Sequence, residues 1–127
     1  MIDRKAVLGR LVVGDIFHAT SGSGAPLVCL IMSITGMTIH ARTMTTQYLL
    51  KFDQHTGKGE LKGEITTIPC TIDSIAPLPV DIHNVMLGID RKFRLEWKDE
   101  RIRLNDDEKR ALLFLDAHYA LNPLPPI

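Results

Sequence analysis

The stretch "LVCLIMSITGMTIHART", residues 27–43, decides the fold, because it is typical of two β-strands joined by a tight turn. Leu27 to Ile34 is short and apolar on both faces, as expected for the most buried strand of a sheet. Thr35 and Gly36 supply the turn. The residues that follow alternate: Met37, Ile39 and Ala41 point inward, and Thr38, His40 and Arg42 point outward.

Further short strands are predicted on both sides of this pair. "GDIFHAT" (14–20) and "YLLKFD" (48–53) alternate in the same way, and "EITTIPCTIDSI" (64–75) is rich in β-branched residues. "HTGKGE" (55–60) contains two glycines in a polar setting and predicts a hairpin tip. Pro69 cannot donate to a ladder, so we expect its strand to lie at an edge or to be bulged there.

These strands predict a small barrel over residues 10–76. The segment is too short for a seven-stranded sandwich, which takes about 100 residues. A barrel also removes the exposed edges that a lone sheet would have. The strand pattern resembles that of small SH3-like and OB-like barrels. We therefore predict an α+β, β-rich chain, with a five-stranded barrel followed by C-terminal helices.

A helical part is predicted over residues 80–122, after Pro77 and Pro79. One apolar stripe has helical spacing, and Asp81 could cap it; its members are Ile82, Val85, Met86, Ile89, Phe93 and Trp97. Residues 91–104 have a second interpretation as a hairpin, since Phe93, Leu95 and Trp97 also alternate, as do Ile102 and Leu104. We prefer a helix over about 81–90 and leave 91–104 open.

The last helix has the strongest signals. Asn105 and Glu108 form a capping box, and Asn122-Pro123 ends the helix. One stripe of this helix consists of Leu112, Leu115 and Tyr119. Other apolar side chains extend around most of the circumference, which is typical of a helix buried on more than one side. It is expected either to complete the core or to contact a second subunit.

Length and charge bound the remaining possibilities. The 127 residues fit a single domain, 1–127. Fifteen basic and fifteen acidic residues give no net charge, so nothing recruits nucleic acid non-specifically and little repulsion opposes self-association. No signal-peptide core or membrane-length apolar run occurs, which predicts a cytoplasmic protein without a membrane partner. Cys29 and Cys70 lie in apolar runs and are expected to be buried thiols.

No pattern of catalytic or metal-binding residues stands out. The five histidines are scattered singly, without the spacing of a metal site, so we predict no metal and no cofactor. Ser21 and Ser23 follow His18 in a Gly-rich segment. That composition favours a hairpin loop over a nucleophile with its base.

Three hypotheses about function follow. The leading one is a non-catalytic module that binds a protein partner or its own copy. The alternative is binding of single-stranded DNA or RNA through an exposed strand face (Thr38, His40, Arg42 and Lys51) or a basic segment (Arg91, Arg94, Trp97, Arg101 and Arg103). The third is a small hydrolase or metal-dependent enzyme built around His18.

Overall fold

The computed structural model describes residues 3–63, 65–96 and 103–125. The strands are β1 (Ile16–Ser21), β2 (Pro26–Thr35), β3 (Thr38–Thr43), β4 (Leu49–Asp53), β5 (Lys58–Lys62) and β6 (Thr67–Ser74). The helices are α1 (Arg4–Leu8), α2 (Val80–Glu96) and α3 (Asp106–Leu121). Each strand pairs antiparallel with the next, and β6 pairs with β1, so the sheet closes into a barrel. The predicted small barrel followed by helices is confirmed.

The barrel has six strands rather than five, because Lys58–Lys62 forms β5 instead of belonging to a hairpin tip. The turn before it is short. The Asp53 side chain accepts the N–H groups of His55 (2.7 Å) and Thr56 (3.3 Å), and Gly57 closes the turn with a φ of 77°. A positive φ suits glycine, which has no Cβ. The chain therefore reverses within four residues and leaves "KGELK" free to pair.

Pro69 lies within β6 of a closed barrel, so the expected edge position is wrong. Its carbonyl accepts the N–H of Gly22 (2.7 Å), just beyond the last residue of β1, Ser21, which pairs with Cys70. In an antiparallel ladder the N–H and C=O of one residue point the same way. The missing N–H of Pro69 therefore faces the turn after β1 and costs no ladder bond.

The interior of the barrel is filled by alternate residues of all the strands except β5, whose Leu61 packs at the margin. The buried members include Phe17, Ala19, Cys29, Ile31, Ile39, Ala41, Leu50, Phe52, Cys70 and Ile72. Phe17 and Phe52 meet edge to face at 5.3 Å. The inward direction of Ile39 and Ala41 is confirmed, whereas Met37 is exposed in the turn before β3.

The two cysteines are free and buried within the barrel, as predicted. Burial raises the pKa of the Cys29 thiol and also that of Cys70. A thiol held protonated in apolar surroundings is a poor nucleophile and a poor metal ligand. Neither cysteine is therefore a candidate for chemistry at the surface.

A second core lies between the helices and the outer face of β1 and β2. Strand residues Ile16 and Leu30 meet Met86 and Ile89 of α2, and α3 contributes Ala111, Leu115 and Tyr119. The helical stripe is confirmed through Phe93, which packs against this core. Asp81 lies in the first turn of α2 and is not its cap, since the helix begins one residue earlier.

The hairpin interpretation is wrong for residues 91–96, because α2 continues to Glu96 and carries Phe93 and Leu95. Residues 97–102, and with them Trp97, Arg101 and Ile102, lie outside the described part of the chain. Leu104 is half-buried against the second core just before α3. The longer helix gives α2 more than four turns on the barrel surface.

The capping box at the start of α3 is confirmed. Asn105 Oδ1 accepts the Glu108 N–H (2.8 Å), and Glu108 Oε1 accepts the Asn105 N–H (2.9 Å). Lys92 Nζ of α2 donates to the same Glu108 oxygen (2.6 Å), which joins the two helices. Burial opposes ionisation of Glu108, but the bonds from Lys92 and Asn105 outweigh it and hold its pKa below the ordinary value.

Arg4 of α1, a helix that the sequence analysis did not predict, joins distant parts of the chain. Its guanidinium donates to the carbonyls of Thr56 (2.6 Å), Pro125 (3.0 Å) and Ile72. Beside it, the Leu124 N–H donates to a β6 carbonyl (2.7 Å). A single buried side chain thus links α1, the turn before β5, β6 and the segment after α3.

Candidate functional site

The predicted contact face on β3 and β4 forms as a cross-strand cluster. His40 lies directly opposite Lys51, and Thr38 and Arg42 lie on the same outer face of β3. Lys51 is exposed, whereas the three β3 side chains are half-buried. The structure therefore brings the four predicted residues onto one surface, and their role in binding stays a prediction.

Arg42 is already engaged within the chain. Its Nε donates to Asp90 Oδ1 (3.0 Å), and a second guanidinium nitrogen donates to Oδ2 (2.8 Å). The side chains are 18% and 3% exposed, respectively. Burial opposes ionisation of Asp90, but the bonds from Arg42 and Gln47 outweigh it and hold its pKa below the ordinary value. This bidentate pair fixes α2 against the barrel.

Gln47 supports the same pair from the loop between β3 and β4. Its Nε2 donates to Asp90 Oδ1 (2.8 Å) and to the carbonyl of Met44 (2.8 Å). Gln47 has a left-handed backbone, with a φ of 59°, which side chains other than glycine adopt at a cost. Asp90 and Gln47 were not among the residues predicted from the sequence. A carboxylate directly after Ile89, on the apolar stripe of α2, was the available signal, because a buried charge needs a partner.

The predicted basic segment is only partly described. Arg91 and Arg94 are exposed on α2. Arg103 is exposed before α3, and its carbonyl accepts a bond from Lys92 Nζ (2.9 Å). Trp97 and Arg101 lie outside the described residues. The described members therefore provide positive charge but no aromatic platform for stacking on a base.

His18 and Asp73 form a hydrogen-bonded pair on the outer face of the barrel. His18 Nδ1 lies 2.5 Å from Asp73 Oδ1, and the Thr20 hydroxyl donates to the other carboxylate oxygen. Burial opposes ionisation of Asp73, but the bonds from His18 and Thr20 outweigh it and hold its pKa below the ordinary value. On β2, Val28 lies opposite His18, and the imidazole ring packs against the ring of Tyr119 of α3, with 5.4 Å between the ring centroids.

A groove of about 470 Å³ opens beside His18, between the barrel and α3. Its walls are mostly apolar and are formed by His18, Pro26, Val28, Thr45, Lys109, Leu112, Leu113, Leu115 and Asp116. The groove is thus continuous with one flank of α3. It places a histidine held by a carboxylate beside an apolar surface.

Helix α3 has two apolar faces. The predicted stripe packs inward, with Leu115 and Tyr119 buried and Leu112 half-buried. The opposite face is exposed and carries Leu113, Phe114, Ala117, Ala120 and Leu121. Leu113 is 72% and Leu121 79% exposed, whereas Phe114 stacks on the His118 ring and is 38% exposed. We call these five residues the outer face of α3.

The inner face of α3 leads to a prediction. Tyr119 is buried, but its hydroxyl has no hydrogen-bond partner among the described residues, and burial raises its pKa. Because a buried unbonded hydroxyl is costly, Tyr119→Phe is expected to raise the free energy of unfolding by about 1 kcal/mol. Urea denaturation followed by circular dichroism measures this. The control, Tyr119→Ala, is expected to lower the free energy of unfolding by about 3–5 kcal/mol, because it leaves a cavity in the core. A clear loss in the phenylalanine variant would contradict the prediction.

The three buried or half-buried carboxylates predict the pH dependence of stability. The pKa values of Asp73, Asp90 and Glu108 are lower in the folded chain. Such groups stabilise fully above their unfolded pKa, about 4, and that contribution is lost as pH falls through the folded pKa. We expect unfolding free energies, measured in urea, to hold from about pH 7 to pH 5 and to fall below about pH 4. Asp90→Asn should flatten that fall, and a stability that rises on acidification would contradict the prediction.

Residues 3–63, 65–96 and 103–125 contain neither a metal-ligand cluster nor a membrane-spanning helix. No three His, Cys, Asp or Glu side chains of that part converge as metal ligands would. None of the helices described is both long and apolar enough to span a membrane. No protein family, curated protein or solved structure matches this chain.

Proposed function

We propose that this chain is a non-catalytic protein-interaction module that docks its partner on the outer face of α3. The carrying observation is that a helix already packed on the barrel presents a second apolar stripe to solvent. Single exposed apolar residues are ordinary, but a continuous row on one helix face marks an interaction surface. The spacing of Leu113, Ala117, Ala120 and Leu121 is that of a helix-packing seam.

The rest of the molecule supports this function as a rigid platform. The outer face of α3 is held in place by the capping box, by the Lys92–Glu108 pair and by the second core. A preformed surface loses little entropy when a partner binds. The barrel therefore serves as a scaffold that presents one helix.

Nucleic-acid binding is less supported by the same geometry. Arg42, one of the four residues of the predicted contact face, already binds Asp90 through Nε and one terminal guanidinium nitrogen. The net charge of the chain is zero. Phosphate contacts require free positive charge, which on this face leaves Lys51.

Acid–base chemistry at His18 is the other candidate that a specific observation favours. The Asp73 carboxylate orients the ring as it would orient a general base. However, both thiols lie inside the barrel, and Thr45 supplies the one hydroxyl among the described residues that line the groove beside His18. The apolar walls of that groove fit an extension of the docking surface better than a reaction centre.

The proposal is tested with a photo-crosslinking residue placed at position 113 and, as the control, at position 65. Ile65 is 98% exposed and lies far from α3 in the sequence, on the loop between β5 and β6. We expect a discrete adduct from position 113, in cells or at high protein concentration, and none from position 65. Equal labelling at both positions, or none at position 113, would overturn the proposed docking surface.

A further inference from the structure

We propose that the occupant of the outer face of α3 is a second copy of this chain, packed antiparallel about a two-fold axis beside Leu113. This inference rests on the proposed function and names its partner. In a two-fold interface the same surface of each copy contacts the other, so that surface must be complementary to itself. Both flanks of α3 meet this requirement when the two helices run antiparallel.

One flank carries opposite charges at the required spacing. Lys109 and Asp116 are seven residues apart, so they share one side of the helix, and both are exposed. In antiparallel helix pairs like flanks face each other. If the axis passes between residues 112 and 113, each Lys109 lies level with Asp116 of the partner subunit. The two-fold symmetry makes this Lys109–Asp116 contact twice.

The other flank carries a cation and an aromatic ring whose midpoint lies close to the same axis. Arg110 and Phe114 are four residues apart and exposed. The axis that pairs Lys109 with Asp116 sets Arg110 about one residue, or about 1.5 Å, from the level of Phe114 of the partner subunit. An arginine over an aromatic face is favourable. The two pairs of residues thus give registers that agree to within one residue.

The centre of this register is apolar and leaves room for close packing. Leu113 lies beside the axis and meets its equivalent, and Ala117, one turn further, has a small side chain that lets the helices approach. Leu113, Lys109 and Asp116 also line the groove beside His18. A second copy on this face therefore covers the open side of that groove, and the His18–Asp73 pair becomes part of the interface margin.

The size of the outer face of α3 sets the expected affinity of the dimer. Helix α3 has 16 residues and is about 24 Å long. One helix pair of this length buries less than a standard interface of about 1,600 Å². We therefore expect a reversible dimer with a micromolar rather than nanomolar dissociation constant. Near-zero net charge adds no long-range repulsion.

Sedimentation velocity from about 5 to 500 µM protein tests the existence of the dimer, since that range brackets micromolar affinity. The mean mass is expected to rise from that of one chain towards that of two. Leu113→Glu should weaken association about tenfold or more, because it places a charge at an apolar centre. Ile65→Glu is the matched control and should leave it unchanged. Circular dichroism establishes that each variant is folded.

A charge exchange tests the antiparallel register. Lys109→Asp alone and Asp116→Lys alone each set like charges opposite one another and should weaken the homodimer. An equimolar mixture of these two variants should associate better than either alone, because each copy then supplies the opposite charges that the other needs. The double variant K109D/D116K should associate as the unchanged chain does.

The outcomes separate this inference from the proposed function. A folded chain that stays monomeric throughout, yet gives a position-113 adduct with a different protein, overturns the second copy and leaves the docking surface standing. A dimer insensitive to Leu113→Glu overturns both. A dimer sensitive to Leu113→Glu but not restored by mixing the charge variants overturns the antiparallel register.

Discussion

Replacing Asp90 with alanine is expected to lower the free energy of unfolding by about 3–5 kcal/mol, because it leaves the guanidinium of Arg42 largely buried without its carboxylate. Gln47 loses a hydrogen-bond acceptor at the same time. Since this cluster fixes α2 to the outer face of the barrel, the loss should also loosen the second core. Urea denaturation at neutral pH, followed by circular dichroism, gives the value.

Asp107→Ala is the matched control, because Asp107 forms an ion pair with Arg110 in which both side chains are more than 70% exposed. Exposed pairs contribute about 0–1 kcal/mol. An Asp90→Ala variant that lost no more stability than Asp107→Ala would show that the buried pair does not hold α2. Replacing both Arg42 and Asp90 by apolar residues should recover much of the loss, since no charge is then left buried alone.

The second large loss of stability is expected from Gly59→Ala. A Cβ at this position would lie 2.1 Å from the carbonyl oxygen of Lys51 and 2.6 Å from a ring carbon of Phe52. Neither can give way cheaply, because one is backbone and the other is packed in the barrel core. Strands β4 and β5 would have to separate, and we expect a loss of about 3 kcal/mol or more.

Gly88→Ala is the control for the glycine substitution. Gly88 is in the middle of α2, and a Cβ there has no neighbour within 4 Å. The same chemical change should therefore raise stability by about 0.5–1 kcal/mol, the helix preference of alanine over glycine. The two variants, measured by the same urea denaturation, are expected to move in opposite directions. A Gly59→Ala barrel as stable as the parent would contradict the close approach of β4 and β5.

The alternation of apolar and polar residues predicted most of the barrel, because one face of each strand is buried and the other faces solvent or the helices. Ile39 and Ala41 are the clearest case. The strand that was missed, β5, shows a weaker contrast, because its inward residues are Gly59, which has no side chain, and Leu61, which packs at the margin of the core. The length of α2 was also underestimated, since both helical and strand periods fit residues 91–96.

The site could be predicted only in part for a related reason. The outward direction of Arg42 follows from local alternation, but its pairing with Asp90 joins residues 48 apart in the chain. Sequence spacing carries no information about such a contact. Likewise, apolar residues around most of the circumference of α3 predicted burial on more than one side, whereas the described residues bury one side. Which side faces the barrel depends on how the helix is docked, and that is a tertiary property.

Closure of the barrel restricts how this chain can recognise another polypeptide. With β6 bonded to β1, each of the six strands has a neighbour on both sides. A peptide that binds by strand addition needs an open row of backbone donors and acceptors. The docking proposed here therefore uses side chains rather than strand addition, and single substitutions are expected to change its specificity.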